Sequence, residues 1–332
     1  MKAAFIEATG APDVIRYGDL PDTEPKSGEV RVKVAAVAVN PIDTYIRSGA
    51  VSMTLPKQFI VGCDLAGTVD RVGPGTKGFK VGDRVWGSNQ GLLGRQGTFA
   101  EYACVHEDFL YASPPGVKEE DLAAIALVGI TAHLGLIGCA KLQPGEFAFV
   151  NGGTGGVGST VVQMAKAVGA KIATTVGSEE KAKQATALGA DLAINYKTDD
   201  VAAKLKEFTG GAGLHVWYET LREPDYDKIV DGLRPRGRAV VMAGRVARPP
   251  FPHGPFYVKC LSLFGFAMFN MSADEQRKCA DDINRWLVAG KLKPNIARRM
   301  KLSETAAAHQ LQEENTLKGA GTLAGKIVLT PQ

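Results

Sequence analysis

The chain has 332 residues, room for two domains of ordinary size. Its apolar share of 45% suits a sizeable core, and a charge of +4, from 39 basic against 35 acidic residues, demands neither nucleic acid nor a membrane surface as partner. The five cysteines (Cys63, Cys104, Cys139, Cys260, Cys279) are dispersed without a C-x-x-C pair, so they read as reduced thiols of a cytoplasmic protein, not as a zinc lobe or redox centre. The start, MKAAFIEATG, lacks the apolar stretch of a signal peptide, and no segment approaches ~20 uninterrupted apolar residues.

In chain order, the first third is a series of short alternating segments divided by Gly and Pro. Residues 30–39 (VRVKVAAVAV) alternate most strongly and predict a strand. Further strands are expected at residues 67–72, 83–86 and 98–103, a barrel-like spacing. A helix over residues 121–138 then leads to the most informative part of the chain, FAFVNGGTGGVGSTVVQMAKAVG. Its apolar run Phe147–Val150 reads as a buried parallel strand. Gly153, Gly155 and Gly158 give the G-x-G-x-x-G spacing, and Val157, Val161, Val162, Met164, Ala165 and Val168 mark one face of a helix. The first glycine permits a tight turn, the second a close approach of backbone to a pyrophosphate, and the third the packing of helix on strand. Amides opening the helix, aided by its dipole, face the phosphate.

Beyond the loop, strands and helices alternate. Strands are expected at Lys171–Val176, 192–196, Leu214–Glu219 and 238–243, with helices at 179–188, 199–208 and 225–233. This is the pattern of a doubly wound parallel α/β sheet. An apolar run at 261–269, a helix at 273–289 and a last strand at Lys326–Thr330 complete the chain.

Several segments together resemble the zinc-free quinone oxidoreductases of the medium-chain dehydrogenase/reductase superfamily, the zeta-crystallin group. They are Asn40-Pro-Ile-Asp43-Thr-Tyr45-Ile-Arg47-Ser-Gly49, Gly62-Cys63-Asp64-Leu-Ala-Gly67, Val81-Gly-Asp83-Arg-Val, Gly97-Thr-Phe-Ala-Glu-Tyr102 and Gly129-Ile-Thr131-Ala. The resemblance implies a Rossmann domain (residues 125–264) inserted in a GroES-like, mainly β catalytic domain (residues 1–124 and 265–332), with substrate between them. It carries cofactor contacts onto Asn40, Thr131, Gly153, Gly155, Gly156, Val157, Gly158, Gly177, Ser178, Lys181, Tyr196, Gly244, Arg245, Phe266 and Met268. It also places Tyr45 and Asn40 at the reacting carbonyl.

No metal is expected. Zinc relatives carry a cysteine where this chain has Asn40 and Gly-His-Glu where it has Gly62-Cys63-Asp64, and catalytic zinc needs three thiolate, imidazole or carboxylate ligands. The cofactor expected is NADPH, because the tip of the second strand, Thr174-Thr175-Val176-Gly177-Ser178, carries no acid to bind a ribose 2′-OH, and Lys181 follows one turn later. Without a metal, hydrogen-bond donors must polarise the acceptor, and an Asn amide and a Tyr hydroxyl suit that task. The expected reaction is hydride transfer from NADPH to a quinone. The alternatives are reduction of an enone or alkenal C=C, and a non-enzymatic, crystallin-like structural or RNA-contacting role. The run from Leu261 to Phe269 also invites strand-to-strand pairing into a homodimer.

Overall fold

The computed structural model describes residues 1–331. The chain divides into two compact units: Met1–Leu127, Ser272–Val288 and Pro294–Gln332 make the first, and Val128–Met271 with Ala289–Lys293 make the second.

The first unit is mainly β. In chain order it holds β1 (Lys2–Ile6), β2 (Arg16–Asp19), β3 (Glu29–Val39), helix α1 (Pro41–Ser48), β4 (Phe59–Ile60), β5 (Leu65–Val72), β6 (Arg84–Gly87), β7 (Tyr102–His106) and β8 (Leu110–Ala112). The strongly alternating segment is the central strand β3, whose valines 30, 32, 34, 37 and 39 are buried. It pairs antiparallel with both β5 and β7. The strand expected at 98–103 starts only at Tyr102, because Phe99 turns inward over Gly62, where a Cβ would lie 2.0 Å from its ring.

Helix α2 (Glu119–His133) runs into a π-helical turn, Leu134–Cys139, in which the Ala140 N–H donates to the Gly135 carbonyl at 2.9 Å. This stretch is long and apolar enough to cross a membrane, yet 78% of its apolar window is buried inside the fold, as in a core helix.

The second unit then follows as β9 (Phe147–Val150), α3 (Gly156–Val168), β10 (Lys171–Val176), α4 (Glu179–Ala187), β11 (Leu192–Asn195), α5 (Val201–Phe208), β12 (Leu214–Glu219), α6 (Tyr226–Gly232), β13 (Leu233–Val241), α7 (His253–Val258) and β14 (Ser262–Gly265). Its six strands are all parallel in the order β11-β10-β9-β12-β13-β14, so the chain reverses direction of travel across the sheet between β9 and β12. Such a reversal is where doubly wound sheets bind ligands. Phe149 and Trp217 pack at 4.4 Å between ring centroids in its core, with Ile194, Leu205, Ile229 and Leu233. The main stretch of this unit runs to Met271, beyond the boundary at 264 expected from the sequence, because β14 joins this sheet and the turn Met268–Asn270 stays with it.

The chain returns to the first unit with α8 (Ala273–Val288), β15 (Ile296–Lys301), α9 (Thr305–Thr316) and β16 (Lys326–Thr330). β16 pairs antiparallel with β3 and parallel with β15, extending the large sheet to the order β15-β16-β3-β5-β6-β8.

Candidate functional site

At the carboxyl ends of the second unit's strands, β9 turns through Asn151–Gly155 into α3. Gly152 adopts φ 74° and Gly155 caps the helix in extended backbone with no side-chain hydrogen bond to the first turn. By contrast Ser178, Asp200 and Asp225 cap α4, α5 and α6 with side-chain oxygens. The first-turn amides of α3, at Gly156, Val157 and Gly158, thus have no intrahelical acceptor and no side-chain cap, the arrangement that receives phosphate. Steric constraints fix the glycines. A Cβ on Gly153 would meet Thr174 Oγ1 at 2.2 Å, and one on Gly158 would meet the Gly152 carbonyl oxygen at 2.2 Å, whereas one on Gly155 would find its nearest neighbour at 3.4 Å. The space beside Gly155 is thus open enough to serve as a phosphate cradle.

The loop is held by a buried polar chain that the sequence did not disclose. Asn151 Nδ2 donates to Glu219 Oε2 at 2.6 Å, Trp217 Nε1 to the same oxygen at 3.1 Å, and the Leu221 N–H to Oε1 at 2.8 Å. Thr175 Oγ1 donates to Asn151 Oδ1 at 2.9 Å and accepts the Gly152 N–H at 3.0 Å. Burial pushes the Glu219 carboxyl above its ordinary range, and these donors pull it back. A single carboxylate at the end of β12 thereby fixes the shape of a loop that begins 68 residues earlier.

At the end of β10 no carboxylate stands on the strand tip. Ser178 accepts the Lys181 N–H at 3.3 Å, Lys181 lies on the first turn of α4, and the Tyr196 hydroxyl comes within 2.8 Å of where a Gly177 Cβ would stand. Glu179 and Glu180 are exposed. Gly177, Ser178, Lys181 and Tyr196 are therefore grouped at one strand end. Elsewhere in this unit, Thr131 is buried on α2 with no hydrogen-bond partner for its hydroxyl among the described residues, while its carbonyl accepts from Tyr218 at 2.9 Å. Gly244, at φ 82°, and exposed Arg245 follow β13. Half-buried Phe266 and buried Met268 follow β14. The cofactor candidates of this unit thus share the carboxyl side of one sheet.

In the first unit, Asn40 caps α1 and is fully buried. Its Nδ2 donates to Asp64 Oδ2 at 2.7 Å and to the Ala38 carbonyl at 3.2 Å, and its Oδ1 accepts from the Lys326 ammonium. The expectation that Asn40 offers two donors to a substrate does not survive this geometry, since both amide hydrogens and the amide oxygen are committed inside the protein. Asp64 is the hub. Its Oδ1 accepts from Ser88 Oγ at 2.6 Å and the Leu127 N–H at 3.1 Å, and its Oδ2 lies 3.9 Å from Lys326 Nζ. Burial pushes the Lys326 ammonium below its ordinary range, and pushes Asp43, beside Asp64, up to about 7. Asp43 and Arg47 do not pair. Asp43 Oδ2 accepts the Asn40 N–H at 2.8 Å, while Arg47 bonds Glu313 on α9 and the Gly10 carbonyl. Tyr45 is half-buried on the same helix.

These residues do not fit zinc. The donors around Asp64 are an amide, a hydroxyl and an ammonium, and burial holds the Cys63 thiol well above its ordinary range, which keeps it from acting as a thiolate ligand. Among the described residues, no group of three or more His, Cys, Asp or Glu is placed to hold a metal ion.

A glycine-cradled parallel unit joined to a mainly β unit defines a dehydrogenase-type protein. Residues 26–115 match the alcohol dehydrogenase GroES-like domain, and residues 156–284 match the zinc-binding dehydrogenase family. The human quinone oxidoreductase is 32% identical over 99% of this chain and 97% of its own length, and a 2-haloacrylate reductase from a Burkholderia species is 32% identical over 99% of each. The solved Escherichia coli quinone oxidoreductase, complexed with NADPH, superposes with a TM-score of 0.87 at 28% identity over all of both chains. The chain belongs to the quinone oxidoreductase family of the medium-chain dehydrogenase/reductase superfamily.

Proposed function

We propose that the chain is an NADPH-dependent quinone oxidoreductase. The observation that carries this reading is the cradle at Gly155 beside a β10 tip that bears Ser178, Lys181 and Tyr196 but no acid. It is supported by the quinone oxidoreductase relatives, one of them bound to NADPH.

When bound, NADPH supplies the hydride from its nicotinamide ring. The α3 amides and Gly153, Gly155 and Gly158 hold its pyrophosphate. Gly177, Ser178, Lys181 and Tyr196 hold the adenosine 2′-phosphate, with the Lys181 ammonium making charge-assisted hydrogen bonds that a 2′-hydroxyl cannot return. The unpartnered Thr131 hydroxyl and the Gly244, Arg245, Phe266 and Met268 stretch complete the cofactor contacts. Tyr45 hands a proton to the acceptor oxygen as negative charge gathers there. Asn40 acts at one remove, tying α1, which carries Tyr45, to the Asp64–Lys326 pair. A second reading, reduction of an activated C=C, is favoured by the haloacrylate reductase relative and uses the same groups.

Steady-state NADPH oxidation against quinones, enals and enones tests the proposal. Quinones are expected to give the highest kcat/KM. Tyr45→Phe is expected to lower kcat about 10²-fold, within the usual reach of a positioned acid. Lys181→Ala is expected to raise the KM for NADPH about tenfold and leave that for NADH unchanged. No oxidation with any acceptor would overturn it.

We further propose that two copies pair through β14, one of the two outer strands of the parallel sheet, and that the enzyme works in the cytoplasm.

A further inference from the structure

The amino-terminal side of the same sheet, opposite the cofactor candidates, carries a second built feature. Leu214 of β12 pairs with Leu233 of β13, and the next pair is Val216 with Arg238. β13 therefore pushes out the segment Arg234-Pro235-Arg236-Gly237 as a wide bulge, with Arg236 at φ 63° and its N–H bonded to the Lys259 carbonyl at 2.8 Å. Arg234, Arg236, Arg238, His215 and Glu146 line a cavity of about 290 Å³ there.

The charges are not balanced within the protein. Arg238 is committed to both oxygens of Glu146, at 2.6 Å each, and to the Ala140 carbonyl at 2.7 Å. Arg236 makes no side-chain hydrogen bond or ion pair with any described residue. Among the described residues the Arg234 side chain meets only His215, and that meeting is the anomaly. His215 Nδ1 accepts the Phe147 N–H at 3.1 Å, so a neutral ring carries its one proton on Nε2. Yet Nε2 stands 2.7 Å from Arg234 Nη1, a group that can only donate. Two donors face each other with nothing to accept from either. Burial, with Arg234 and Arg238 nearby, holds the imidazole below its ordinary range against the pull of Glu146, which keeps the ring neutral. An anionic oxygen set between the two would accept both hydrogens, and Arg236 stands ready for a second oxygen.

We propose that this cavity is a binding site for a phosphate-type dianion, either inorganic phosphate or the phosphate of a small ester, held by Arg234, Arg236 and the His215 Nε2–H. A cavity of this size is large enough to admit such an ion. The inference is independent of the cofactor reading, since none of these residues takes part in it.

Thermal unfolding of the whole protein tests it, with 10 mM inorganic phosphate, 10 mM glycerol 3-phosphate or chloride of equal ionic strength in a phosphate-free buffer. Phosphate is expected to raise Tm by about 2 °C over chloride in the wild type, the size expected when ligand exceeds its Kd about tenfold. Lys181→Ala is expected to keep the whole shift, which separates this site from the adenosine phosphate position. Arg234→Ala and Arg236→Gln, both at exposed positions that leave the fold intact, are each expected to lose most of it. A larger shift with glycerol 3-phosphate assigns an ester as the ligand, and an equal or smaller one assigns the free anion. No shift over chloride, or the same shift in both arginine variants, overturns the proposal.

Discussion

Single residues in the first unit show how far burial sets chemistry. His309, on α9, is fully buried with its ring edge-on to Phe99 at 6.2 Å, and neither ring nitrogen has a hydrogen-bond partner among the described residues. Burial, helped by the Arg47 charge, pulls its pKa down from 6.5 to about 3. The folded pKa lies below the unfolded one, so the unfolded chain binds the extra proton between these values. His309 therefore leaves stability untouched above pH 6.5 and costs more of it as pH falls toward 3, at ~1.4 kcal/mol per pH unit. His309→Leu removes that dependence. Urea unfolding is expected to show the variant gaining about 3 kcal/mol on wild type between pH 7 and pH 4. Parallel pH curves for the two proteins would show that the ring is solvated or already paired. Lys326 belongs to the same scale and shows what sequence withholds. It reads as the first residue of an ordinary apolar strand, KIVLT. Only the pairing of β16 with β3, across 286 residues of chain, brings its ammonium to Asn40.

At the scale of elements, the glycine loop was legible because its constraints are local. A tight turn, a helix start and a close helix–strand contact each leave a glycine at fixed spacing, and the strand before and helix after have unmistakable periodicity. What anchors the loop was not legible, because Glu219 and Thr175 reach it from neighbouring strands by sheet order alone. The same limit hid β15, a largely exposed edge strand without alternation, and moved the expected strand at 98–103 to Tyr102–His106. The two ends of the loop make different predictions. A Cβ at Gly158 lands on the Gly152 carbonyl, so Gly158→Ala must move backbone and is expected to cost about 1–3 kcal/mol in urea unfolding, with NADPH binding lost alongside. At Gly155 φ is −72° and a Cβ touches nothing closer than 3.4 Å, so Gly155→Ala is expected to leave stability within about 0.5 kcal/mol. On the proposed function that methyl would fill the space for pyrophosphate, and the Kd for NADPH is expected to rise at least tenfold. Unchanged affinity in Gly155→Ala would place the phosphates elsewhere.

At the scale of the whole molecule, the parallel sheet ends in two edge strands, β11 and β14. β14 is one end of the strand order, and its outer backbone groups have no strand partner among the described residues. An exposed edge of this kind either meets another copy or is guarded by charge or proline, and Ser262–Gly265 carries neither. The chain just before it adds exposed apolar surface at Val246, Phe251, Tyr257 and Val258. A twofold axis beside β14 would let each copy complete the other's edge with the same residues, the usual way a symmetric pair closes. Light scattering on purified protein is therefore expected to give twice the 35.1 kDa of one chain. Ser262→Lys, which puts a charge into the edge at an exposed position, is expected to shift the equilibrium at least tenfold toward the single chain. The glycine loop lies at β9 and β10, and the cofactor candidates Phe266 and Met268 follow β14 at its far end, so the Kd of the variant for NADPH is expected to stay within about threefold of wild type. A wild type of single-chain mass at micromolar concentration would show that the edge is protected in some other way.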